Sequence, residues 1–253
     1  MSASEKPLVY LIIGAATSGR RAILADLIEG GLEATDKPVV LVSAEEAASE
    51  VDARLPRMER WTWQDGFMLM TPPTGASHLF VVLDGRRSQV DQIEVFKAWL
   101  EAHRLELARC LCVVNCQLAE RHAPLLAWYE ACVHFADVVL LNRREGVENR
   151  WVSDFLNHFK KQFVPCLFET VKDNRVKNPA LVLDPQARRV SQAFDEEQDW
   201  IFTNAEGDEI DEEDITDDEE EEVQATPAVD PYFERRNGGR RVKELPDIAK
   251  YLG

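Results

Sequence analysis

Short, wholly apolar runs alternating with segments of helical periodicity constrain this fold more than any other feature. The runs are Leu8–Ile13, Val39–Val42, Leu79–Leu83, Leu111–Val114, Val138–Leu141 and Phe163–Phe168. Runs of about four to eight residues that are apolar on both faces suit strands buried between two helical layers. Between them, Ile23, Leu24, Leu27 and Ile28 share one helical face, and Gly30 and Gly31 are expected to stop that helix. Helical spacing recurs over Gln89–His103, Leu118–His134 and Val147–Gln162. Alternation of this kind predicts an α/β fold, a mostly parallel sheet flanked by helices. Arg60–Met70 breaks the rhythm and is predicted to be a hairpin excursion.

Charge divides the chain differently. The formal net charge is -17, and residues 195–222 hold 17 carboxylates with no Lys or Arg, so the remainder is balanced. The composition predicts a domain over 1–194, an acidic and largely disordered linker over 195–228, and a basic, aromatic docking tail over 229–253. The linker's acids follow no calcium-loop spacing. A body without excess Lys or Arg releases few phosphate counterions, which argues against nucleic acid or an anionic membrane as partner. No apolar run approaches a membrane span, and Met1–Pro7 lacks the apolar core of a signal peptide. The cysteines number five, an odd count outside any disulfide framework. A cytoplasmic protein is expected.

Three segments at the ends of apolar runs could carry chemistry. Gly14-Ala15-Ala16-Thr17-Ser18-Gly19-Arg20-Arg21 has the G-x-x-x-x-G spacing of a phosphate-binding loop, between a predicted strand and a predicted helix. In such a loop backbone N–H groups wrap the phosphates, a Lys reaches the terminal ones, and a Ser or Thr hydroxyl binds magnesium. Here Arg20 stands for the Lys and Arg21 for the hydroxyl. The first keeps a positive charge in a wider, planar shape, and the second is no metal ligand. The plainer alternative is an ordinary Gly-containing turn. The second segment, Phe80-Val81-Val82-Leu83-Asp84, ends in a carboxylate placed to hold magnesium, or simply in a residue that favours turns. The third is Asn142-Arg143-Arg144-Glu145, where a guanine-binding protein has N-K-x-D. Asn142 would support the loops, Arg143 would pack its stem along the base, and Glu145 would accept from guanine.

Taken in order, these segments make the chain resemble a degenerate member of the CobW-like P-loop GTPase family, over about residues 7–185. The resemblance includes Val39-Val40-Leu41-Val42-Ser43-Ala44-Glu45-Glu46, where the family has a strand followed by N-E-x-G-E, so that Glu45 or Glu46 echoes an acid near the nucleotide. It implies a bound guanine nucleotide, GTP or GDP, with magnesium at Asp84. Where the family carries its G-C-x-C-C metal motif, this chain has Gly66-Phe67-Met68-Leu69-Met70, without a thiolate. Cys110, Cys112 and Cys116 read as core residues, and on one extended strand their ends would lie roughly 20 Å apart.

Three functions follow from these readings. One is a CobW-like guanine-nucleotide-binding protein with weak or absent hydrolysis, at best a weak GTPase with Arg20 and Asp84 as its catalytic groups. Another is a pseudo-GTPase scaffold acting through a protein partner bound by the acidic segment or the tail. The last is an enzyme that holds an anionic metabolite through Arg20, Arg21, Arg86 and Arg87.

Overall fold

The computed structural model describes residues 6–195, 200–203, 209–210 and 224–252. By packing, the chain divides into two compact units, Met1–Val190 with Glu244–Gly253, and Ser191–Lys243.

The first unit runs β1 (Leu8–Gly14), α1 (Arg20–Gly31), β2 (Pro38–Ser43), β3 (Met58–Gln64), β4 (Phe67–Leu69), β5 (His78–Val82), α2 (Gln89–His103), β6 (Leu107–Asn115), α3 (Cys116–Arg121), α4 (Leu125–Phe135), β7 (Val138–Asn142), α5 (Asn149–Lys161), β8 (Leu167–Thr170) and α6 (Pro179–Leu183). The strands form one eight-stranded sheet in the order β4-β3-β2-β5-β1-β6-β7-β8. Every pairing is parallel except that of β3 with β4, the hairpin expected at Arg60–Met70. The central strands are wholly apolar because helices cover both faces: Val9, Leu11, Ile13, Val40, Val42, Phe80, Val82, Leu111 and Val139 are all within 2% of complete burial. This is a P-loop NTPase-like α/β fold. Parallel strands put the turns after β1, β5, β6 and β7 on one edge, where such sheets bind ligands.

Two elements depart from the sequence reading, while α1 ends at Gly31 as expected, with Gly30 and Gly31 in its last turn. A Cβ on Gly30 would sit 3.0 Å from Pro179 Cγ, and one on Gly31 would sit 3.0 Å from Leu183 Cδ1, so these glycines admit α6 at close range. The pattern expected over Leu118–His134 is two helices, because Pro124 lacks the N–H that a continuous helix needs and instead caps α4. Finally, β8 begins only at Leu167; Phe163 takes φ 55 at the end of α5 and is 91% exposed.

Cys112 and Cys132 are hydrogen-bonded to each other inside this core, and Cys116 opens α3 beyond the end of β6. Burial pushes the thiols of Cys116 and Cys166 up to about 12. All five cysteines are free and buried, which fits their reading as core residues. The last turn of the chain, Ile248–Tyr251, belongs to this unit: Ile248 is 1% exposed and the Tyr251 ring meets His122 edge-on at 5.1 Å.

In the second unit, β9 (Trp200–Thr203) pairs antiparallel with β10 (Glu209–Ile210) and β11 (Gln224–Pro227). Asp230 accepts from Ser191 Oγ at 2.5 Å and from the Tyr232 N–H at 2.9 Å, and Lys243 Nζ lies 4.3 Å over the Tyr232 ring. The disorder expected of the acidic linker falls largely outside the described residues. No helix among the described residues is long and apolar enough to cross a membrane.

Candidate functional site

The loop between β1 and α1 is held by residues from four neighbouring segments. Gly14 ends β1 at φ 133 and Gly19 caps α1 at φ 86, backbone regions that glycine enters without the cost a side chain carries. Asn115, at the end of β6, donates from Nδ2 to Thr17 Oγ1 at 3.0 Å and Thr17 O at 3.3 Å. Asn142, at the end of β7, donates to Ser18 O at 2.8 Å and to Asn174 Oδ1 at 3.0 Å. A Cβ on Gly19 would stand 2.7 Å from Asn142 Nδ2 and 2.9 Å from Asn174 Oδ1. The glycine is therefore required twice, by its backbone angle and by its neighbours.

Some loop amides are spent inside the protein and others are not. Ala16 N–H donates to Gly85 O at 3.1 Å, Ser18 N–H to Ala15 O at 3.0 Å, and Gly14 N–H to Gln89 Oε1 at 3.2 Å. The N–H groups of Thr17, Gly19, Arg20, Arg21 and Ala22 have no acceptor among the described residues. Several are first-turn donors of α1, where an anion also meets the positive end of the helix dipole. They adjoin a depression of about 190 Å³ bordered by Thr17, Gly19, Arg20, Arg21, Glu46 and Arg143.

The two loop arginines turn toward carboxylates. Arg20 is 3% exposed; its guanidinium donates to Leu83 O and to Glu46, while its Nε has no partner among the described residues. Arg21 grips Asp52 through both carboxylate oxygens at 2.6 and 2.7 Å, donates to Ala47 O at 2.8 Å, and lies 3.8 Å from Glu46. Asp52 is held ready by Ser49, whose hydroxyl and backbone form a capping box with it at the start of a short 3₁₀ turn, Glu50–Arg54.

Asp84 sits just beyond β5, beside the loop and 2% exposed, but its carboxylate accepts from the Arg86 N–H at 2.9 Å and faces Arg87 Nε at 3.2 Å. Gln89 and Gln92 clasp its backbone. This donor set does not fit magnesium. A guanidinium already neutralises Asp84, Arg21 stands where a hydroxyl ligand would be, and Glu46 is paired with Arg20. Among the described residues no three His, Cys, Asp or Glu side chains are grouped for a metal.

Of the residues singled out in the sequence, Gly14 through Arg21, Asn142 and Arg143 therefore come together. Asp84 adjoins them in a closed pairing. Glu145 does not border the depression: it is exposed, and its carbonyl accepts from Gln117 Nε2 at 2.6 Å. Asn115, Asp52 and Asn174 escaped the sequence reading. Asn115 was findable, since it follows the apolar run Leu111–Val114 as Asn142 follows Val138–Leu141. Asn174 carries no such signal.

No family model matches the chain, and neither does any curated protein. Among solved structures, the Zn(II)-bound YjiA GTPase from E. coli is similar at 12% identity and a TM-score of 0.47, with 72% of this chain and 63% of that chain covered. A Zn(II)-bound triple mutant of the YjiA GTPase is similar at 12% identity and a TM-score of 0.43, with 79% and 72% covered. The chain thus spans less than two thirds of the length of the first of these, and its fold rests on its own strand order and loop geometry.

Proposed function

We propose that this chain binds a guanine nucleotide by its phosphate end and hydrolyses it weakly or not at all. One observation carries the reading: the unspent N–H groups of Thr17, Gly19, Arg20, Arg21 and Ala22 adjoin one depression, with Arg21 and Arg143 on its border. Backbone amides supply much of the phosphate grip of such a loop, so the loss of the Lys leaves binding intact. At about 190 Å³ the depression is smaller than the roughly 300–1,000 Å³ of pockets that enclose a whole ligand. It therefore takes phosphates and leaves the base outside, where Arg143 can lay its stem along it. The guanine preference follows from Asn142 and Arg143 at the end of β7 and from the resemblance to CobW-like proteins.

The same geometry supports weak hydrolysis. Charge developing in phosphoryl transfer needs a cation aimed at it. Arg20 is committed to Glu46 and Leu83, and Asp84 to Arg87. The scaffold reading gains support from Phe67 and Leu69, 64% and 50% exposed on the edge strand β4. Its partner contact through the acidic segment or the tail remains part of the proposal. Free, buried cysteines support a cytoplasmic setting. Titration calorimetry of the full chain with GDP, GTP and ATP tests the reading. Binding of guanine nucleotides in preference to ATP, with no phosphate released in a single-turnover assay, is expected. Absence of heat with all three removes it.

A further inference from the structure

Glu46, three residues beyond β2, is a buried anion facing the loop between β1 and α1. Its side chain is 8% exposed and borders the depression. Two donors converge on it, the Arg20 guanidinium and the Gly85 N–H at 3.2 Å, and the charge of Arg21 lies 3.8 Å away. Arg20 occupies the position from which a loop Lys reaches the terminal phosphates of a bound nucleotide. In this chain the group found at the end of that reach is a carboxylate. The space behind it is also closed. Ala16 N–H is spent on Gly85 O, and a Cβ on Gly85 would stand 2.2 Å from Ala16 N and 2.4 Å from Arg20 Nη2, so the backbone after β5 lies directly on the loop.

We infer that Glu46 is an internal substitute for the terminal phosphate, so that the site takes a nucleoside diphosphate and rejects the triphosphate. This rests on the phosphate-binding reading above and deepens it. A third phosphate would meet a carboxylate already holding its donors, and like charges brought together there repel. A diphosphate reaches only the amides of Thr17 and Gly19 through Ala22, and leaves the Arg20–Glu46 pair in place. Unlike an ordinary buried ion pair, which would merely neutralise Arg20, this one sets the number of phosphates accepted.

Calorimetry of the full chain in EDTA with pyrophosphate, tripolyphosphate, GDP and GTP tests this, because the inorganic anions report phosphate number without a base. Wild-type protein is expected to bind pyrophosphate over tripolyphosphate, and GDP over GTP, by at least about tenfold, the equivalent of roughly 1.4 kcal/mol. Glu46→Gln removes the charge and raises the tripolyphosphate-to-pyrophosphate affinity ratio by a similar factor. Glu46→Asp keeps the charge and keeps the wild-type order. Tighter binding of tripolyphosphate by the wild type, the trend that charge alone would give, overturns the inference without any variant having to fold. An unchanged ratio in a Glu46→Gln protein that melts like the wild type also overturns it. If pyrophosphate binds but GDP binds no better, the role of Glu46 stands and the guanine reading falls. If no anion and no nucleotide gives heat, both fall.

Discussion

The two ends of the parallel sheet both contain buried arginine–carboxylate pairs, and they use them in opposite ways. At the amino-terminal end, Asp137 accepts from the Cys110 N–H at 2.7 Å and the Arg188 N–H at 2.6 Å and faces Arg189 at 3.4 Å. Beside it, Arg109 donates to Gln186 O at 2.9 Å, Leu181 O at 2.7 Å and Val182 O at 2.9 Å. Burial holds the guanidinium of Arg109 below its ordinary pKa, opposed by the charge of Asp137. The backbone of residues 181–188 surrounds these groups, and they clamp it beneath the sheet. At the carboxyl-terminal end, Arg20 and Glu46 are as deeply placed, but beside a depression and unspent amides. The lesson is that burial of an ion pair does not mark a site. What marks it is donor capacity left over next to open space.

The largest test of this contrast is Asp137→Ala. It removes the acceptor of the Cys110 and Arg188 N–H groups and a charge partner of Arg189, and removing one partner of a buried pair costs about 3–5 kcal/mol. Urea denaturation should show that loss, while pyrophosphate affinity of the folded fraction stays at the wild-type value. A weakened affinity would mean that the ends are coupled and not separate. Next is Gly19→Val. A left-handed backbone costs a branched residue about 1–2 kcal/mol, and its Cβ also runs into Asn142 and Asn174. Nucleotide binding is expected to vanish in calorimetry, with exchange of the Cys110 amide at the far end still slow.

Asn174→Ala is milder. It removes the 3.0 Å bond from Asn142, a loss of roughly 1 kcal/mol, and is expected to weaken nucleotide binding without abolishing it. The smallest effect is a slope. His78, at the amino-terminal end of β5, packs on Tyr10 and Phe80, and burial lowers its pKa against the opposing pull of Asp36. The unfolded chain therefore takes up the proton first as pH falls. Stability is complete above the ordinary histidine value of about 6.5 and declines as pH drops through it. Thermal melts of His78→Gln should lack that part of the decline, and an unchanged slope would assign it to other groups.

Much of the fold was legible because apolar runs report burial directly. Val39–Val42, Leu111–Val114 and Val138–Leu141 fall on strands, as does Leu79–Leu83 except for Leu83 just beyond β5. Gly30 and Gly31 do end α1, as their local signal says, but that signal did not tell that Pro179 and Leu183 lie against them. In the site, the positions of Arg20, Asp84 and Asn142 at strand and loop ends were readable, whereas their partners were not. Asn142 reaches Ser18 across 124 positions of sequence, Arg21 reaches Asp52 across 31, and Arg20 reaches Glu46 across 26.

By itself, then, the sequence determined the alternation of strands and helices and the place of a glycine loop after the first strand. These follow from periodicity and from backbone angles, which are local properties. Tertiary structure alone decided that Arg20 turns to Glu46, that Arg87 covers Asp84, and which loop amides stay unspent. The reason is physical: the partner of a charge is chosen by distance and desolvation in the packed state, and neither exists until strands far apart in sequence lie side by side.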